Sequence, residues 1–199
     1  MKKTLTISAA VTAAAFALAG CSAGSGTGSP ETSGTSSSSA PATSSAARAE
    51  SNDADAMFAQ AMIPHHAQAV AMSDTMLKKE GIPAVVTDLA TRIKAAQGPE
   101  IEKMTDWLEG WGQPTKMSSG HSMSGMMGED DMAKLESAQG TEAAKLFLTQ
   151  MIAHHEGAVE MARTETTDGK NAGAVQLSKD IVSSQEAEIQ EMKDLLATL

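Results

Sequence analysis

A chain that repeats its own pattern is built to fold as two similar units. Here Met62-Ile-Pro-His-His-Ala-Gln-Ala-Val-Ala-Met72 returns as Met151-Ile-Ala-His-His-Glu-Gly-Ala-Val-Glu-Met161. Downstream, Leu89, Ile93, Gln97, Glu100, Ile101, Met104 and Leu108 recur in register as Leu177, Ile181, Gln185, Glu188, Ile189, Met192 and Leu196. The apolar residues in both halves follow a helical period, and no run shows strand alternation. Each half is therefore a helix–loop–helix unit that cannot bury its apolar stripe alone, and the pair predicts an all-α four-helix bundle.

Four long helices are expected over about 53–80, 83–111, 141–167 and 171–198, with a short one over about 129–138 between the halves. Asp53 and Thr141 are candidate N-caps and Gly81 and Gly169 candidate stops, while Pro83 suits a first helical turn. With three Phe, two Trp and no Tyr, the core must come from Leu, Ile, Val, Ala and Met. That gives methionine an ordinary role as gap-filler.

The polar residues on the inward stripes are less ordinary. At ~100° per residue, Met62, His65, His66 and Met72 share one stripe, and Met151, His154, His155 and Met161 share its twin. Gln97, Glu100 and Met104 lie on the inward face of the second helix, and Gln185, Glu188 and Met192 on that of the fourth. The His pairs and the two Gln all lie near mid-helix, so they meet at one level of the bundle. Burying them without partners would cost several kcal/mol, so they must satisfy one another or bind something. One reading is a hydrogen-bonded layer that only fixes register. The other is metal binding, because imidazole and thioether form a soft donor set suited to copper, Cu(I) above all. Iron and zinc suit that set less well.

On the metal reading the candidate ligands are Met62, His65, His66, Met72, Met104, Met151, His154, His155, Met161 and Met192. Gln97, Glu100, Gln185 and Glu188 would either orient the imidazoles or ligate directly. Adjacent residues point ~100° apart, so one His of each pair should face the centre and the other a helix seam. Pro64 and the Gly98-Pro99 pair should kink their helices beside this layer. The connection 112–128 carries Met117, His121, Met123, Met126 and Met127 in a Gly/Ser context, a second candidate copper-binding element.

The ends bear on location. Lys2 and Lys3 precede a short apolar run from Leu5 to Leu18, and Leu18-Ala19-Gly20-Cys21 resembles a bacterial lipobox. On that reading residues 1–20 are a lipoprotein signal peptide and Cys21 carries the lipid. An ordinary signal peptide is the alternative. Residues 21–52, rich in Ser, Gly, Thr and Pro, read as a tether, and 53–199 as the folded domain. Cys21 is the single cysteine, which leaves no thiolate for a metal site in the domain. The net charge is −10. That balance disfavours nucleic acid as a partner and suits the attraction of cations.

The two His-His phrases, each followed by Gln-x-x-Glu-Ile-x-x-Met, resemble the domain-of-unknown-function 305 family. The resemblance implies a ferritin-like bundle in a bacterial secreted or membrane-anchored protein, with copper bound through His and Met in some members. It carries over to Met62, His65, His66, Met72, Met151, His154, His155 and Met161. The expected function is thus a non-catalytic, extracytoplasmic copper-binding protein, at the cell surface or in the periplasm, with a copper-transfer partner. A ferritin-like di-metal oxidase or ferroxidase is the alternative, weakened because the first and third long helices lack Glu-x-x-His. A structural stress lipoprotein is the third. Hydrolase chemistry has no support, since no Gly-x-Ser-x-Gly occurs within the folded domain 53–199.

Overall fold

The computed structural model describes residues 51–116 and 123–199. They form five helices: α1 (Asp53–Leu77), α2 (Ala84–Trp111), α3 (Glu129–Ser137), α4 (Gly140–Asp168) and α5 (Ala172–Thr198). No strand occurs among the described residues. Hairpin α1–α2 and its repeat α4–α5 are each packed along their length. The two hairpins meet chiefly through α1 against α4, with short α3 lying across that pair. Among the described residues no helix is long and apolar enough to cross a membrane.

The helix ends depart in detail from the expected caps. Asn52, not Asp53, caps α1, in a reciprocal box with Asp55. The Asp55 carboxylate also accepts from the amides of Lys170 and Asn171, at 3.0 and 2.9 Å. One carboxylate thereby ties the start of α1 to the α4–α5 turn. Thr141 caps nothing, because α4 already begins at Gly140. Gly81 lies in the α1–α2 loop with φ 69°, beyond the end of the helix at Leu77, and Pro83 precedes α2 as its cap. Gly169 does stop α4. At the end of α2, Gly112 adopts φ 68° and the next amide, Gln113, bonds back to Leu108. That is a left-handed glycine stop. Pro64 and Pro99 lie inside α1 and α2, and both helices run on through them.

The core divides in two. One cluster holds Met72, Met76, Leu89, Ile93, Phe147, Leu148, Met151 and Met192. The other holds Phe58, Met62, Met104, Leu108, Trp111, Leu177 and Ile181. On every long helix the break between the clusters falls at the expected polar layer, so apolar packing continues above and below it. At the Asn52 end of the bundle the two halves differ. Buried Asp55 and Glu165 stand where the repeat has Ala144 and Met76. Glu165 is held up at a pKa of about 8, first by burial and then by neighbouring Asp55.

Phe147 is the largest fully buried side chain. Phe147→Ala should cost about 3–5 kcal/mol in unfolding free energy. Denaturant unfolding would show it as a lower midpoint with an unchanged slope.

Candidate metal centre

The two residues of each His-His pair do different things because successive side chains on a helix diverge. His65 on α1 and His154 on α4 turn toward each other across the hairpin interface, with ring centroids 3.8 Å apart and planes inclined at 42°. His66 instead faces its own hairpin partner, its Nε2 lying 2.7 Å from Glu100 Oε2 on α2. His155 repeats this arrangement at 2.7 Å from Glu188 Oε2 on α5. All four rings are buried. The central pair thus joins opposite halves of the duplication, and the outer two each lock onto a carboxylate within their own half.

These partners fix which nitrogen is free. The carboxylates of Glu100 and Glu188 and the carbonyl of Ser124, 3.1 Å from His65 Nε2, only accept hydrogen bonds. Neutral His65, His66 and His155 therefore carry their proton on Nε2 and present the Nδ1 lone pair. Among the described residues all three Nδ1 atoms are buried without a partner, as are both ring nitrogens of His154 and Oε1 of Gln97 and of Gln185. So many unmet polar atoms is unusual, since buried polar atoms are nearly always paired.

The electrostatics keep the central pair neutral. Burial pushes His65 down to about 4, partly opposed by the Ser124 carbonyl, with nearby imidazoles lowering it further. His154 falls to about 2, again mainly through burial and then through the imidazoles of His65, His155 and His66. A neutral imidazole keeps the lone pair that a metal needs.

The thioethers take their places around this layer. Met62 and Met104 belong to one core cluster, Met72, Met151 and Met192 to the other, and all five are fully buried. Met161 is set apart, half-buried on a groove between α1 and α4 shared with Met57 and Glu165. Among the described residues no three His, Asp or Glu side chains gather around one point. A carboxylate-rich site for a hard cation is therefore absent there, whereas two apposed imidazoles flanked by sulfur suit a soft ion. Glu100 and Glu188 touch His directly, as an orienting group does.

In the described part of the Met-rich connection, Met123, Met126 and Met127 are half-buried, and Met127 packs against the core. Gln68 holds Met127 through two hydrogen bonds, and Ser124 holds His65. Met117, His121 and Cys21 lie outside the described residues. Sequence reasoning missed Ser124, Gln68 and Gly157. Position 68 and its repeat equivalent 157 differ between the two phrases, and that divergence was the available signal.

Both central histidines have pKa values below the unfolded value of 6.5, so they contribute stability above it and lose it as pH falls. The melting temperature should drop from pH 6.5 toward 5, before most carboxylates titrate, and His154→Gln should flatten that slope. A thermal-unfolding series across this range checks it.

Comparison with known proteins agrees with the geometry. The profile of the family described as Domain of unknown function (DUF305) matches residues 55–196. A DUF305 protein from Streptomyces coelicolor is 35% identical with a TM-score of 0.68, the match covering 73% of this chain and 93% of that one. A DUF305 fragment from Deinococcus radiodurans is 31% identical, also with a TM-score of 0.68, covering 75% and 99% of the two chains. The structure of CopM in its Cu(I)-bound form is 32% identical with a TM-score of 0.62, covering 72% of this chain and 96% of that one. CopM has also been solved in Cu(II)- and Ag-bound forms. No curated protein sequence matches the chain. With its profile spanning the whole helical domain and its doubled His-His hairpins, the chain belongs to the DUF305 family.

Proposed function

We propose that this protein binds copper, as Cu(I), in the layer around His65 and His154, and that it sequesters or transfers the ion without catalysis. The observation that carries this reading is the buried, neutral His65–His154 pair at 3.8 Å, with unpartnered nitrogens and five buried thioethers in the apolar clusters above and below the layer. A hydrogen-bonded layer serving only register would leave fewer acceptors unmet. The existence of CopM in Cu(I)-, Cu(II)- and Ag-bound forms supports the same reading by relationship. When bound, the ion would draw on the imidazoles and on thioethers among Met62, Met72, Met104, Met151 and Met192. Glu100 and Glu188 would hold His66 and His155 in one tautomer.

The lipobox-like Leu18-Ala19-Gly20-Cys21 places the protein, on this proposal, on the extracytoplasmic side of a membrane, tethered by lipid on Cys21. In an oxidising compartment thioethers have the advantage over thiols that they do not pair as disulfides. A di-metal oxidase is less well supported, because among the described residues the carboxylates do not group with the histidines in threes.

Anaerobic Cu(I) titration of protein purified without a His tag tests the centre. His65→Ala and His154→Ala should each weaken binding more than about 100-fold, and Glu100→Gln or Glu188→Gln by about 10–100-fold, as for orienting groups. Retained iron with oxygen consumption would favour the oxidase instead. For the anchor, the native protein should partition into detergent and Cys21→Ser should stay in the aqueous phase.

A further inference from the structure

Three contacts set the segment Met123–Met127 directly over the imidazole pair. Ser124 is exposed, yet its carbonyl accepts from His65 Nε2 at 3.1 Å, and His65 is fully buried. On that side a single backbone unit stands between the ring and water.

The segment is gripped from both hairpins. On α1, the Gln68 side-chain amide donates to Met127 O at 2.9 Å and accepts from Met127 N at 2.7 Å, the double bond pattern of a paired strand. On α4, Gly157 and Gly125 interlock. A Cβ on Gly157 would lie 2.1 Å from Ser124 O, and one on Gly125, at φ +80°, 2.6 Å from Ala153 O. Gln68 and Gly157 are the same position of the two repeats. One copy carries an amide that clasps the segment, and the other lacks a side chain so that the segment can lie flat.

The grip also breaks the symmetry of the pair beneath. His65 is tied to Ser124, whereas neither ring nitrogen of its repeat equivalent His154 has a hydrogen-bond partner among the described residues. The polar part of the hold is three neutral hydrogen bonds, joined by the glycine contacts and by Met127 packing on the core, so lifting the segment does not require the helices to separate.

We infer that Met123–Met127 is a strap that gates the His65–His154 pair, with Gln68 and Gly157 as the residues that position it. This rests on the copper-binding reading above. Closed, the strap covers His65 and holds its ring through Ser124. Lifted, it exposes the pair and lets a soft ion in or out while the bundle stays folded. The other route to the layer, past partly exposed Glu100 and Glu188, would leave exchange insensitive to the strap.

The test is release of Cu(I) from the loaded full-length chain to excess bathocuproine disulfonate, followed by colour. Gly157→Ala drives a methyl into Ser124 while favouring the helix itself, so the bundle should persist by circular dichroism. Gln68→Ala removes the clasp without a clash. Each should speed release about tenfold, the equivalent of losing one or two neutral hydrogen bonds, and each should raise hydrogen exchange at the Met127 amide. Unchanged release in either variant overturns the gate, including the case where only the melting temperature falls. If the wild-type chain shows no Cu(I) binding that depends on His65 and His154, the copper reading itself fails and the gate with it.

Discussion

Four imidazoles held out of water at the middle of an apolar bundle set the terms for everything around them. Burial makes the charged form of the central pair expensive, which keeps His65 and His154 neutral and their lone pairs available. The cost of unmet acceptors is tolerated because apolar clusters above and below the layer bind the helices regardless. Apolar packing and the under-satisfied polar layer are therefore kept in different strata of one molecule. The ends hold the fold together, and the middle stays under-satisfied.

Duplication supplies that middle stratum economically. One hairpin contributes one inward histidine and one carboxylate-locked histidine, and its copy contributes the same. The interface of the two copies then generates an imidazole pair that neither possesses alone. Departures from the repeat are as informative as its agreements. Gln68 against Gly157 accommodates a segment that has no repeat counterpart, and that segment hydrogen-bonds the ring of His65.

Much of the fold was legible because long amphipathic helices announce themselves by period and a repeat announces its partner. The helix count, the hairpin pairing and the division of each His-His pair between centre and seam all follow from ~3.6 residues per turn. The caps were less legible, since Asn52 and Asp53 are both good cap residues and only the reciprocal bond with Asp55 decides between them. At the site, the rings of His65 and His154 meet, and His66 and His155 lie against Glu100 and Glu188. Met161 shares its stripe with the histidines in projection but lies half-exposed on the α1–α4 groove, because a helical wheel carries no information about how far a partner helix extends its cover. The docking of Ser124 and Met127 was hard to read for a different reason. On the segment's side it uses backbone carbonyls and amides, which carry no sequence signature, and only the divergence of Gln68 from Gly157 marks it.

Asp55 and Glu165 give the two ends of the bundle different characters. Asp55 gathers three backbone amides from two distant parts of the chain, and buried Glu165 beside it takes on charge only near pH 8. At the opposite end the equivalent positions are methionine and alanine, which have nothing to titrate. In alkaline surroundings two carboxylates of like sign would face each other beneath the α4–α5 turn. Fraying would then begin at the Asn52 end of the bundle, leaving the methionine-lined end as the last part to come undone.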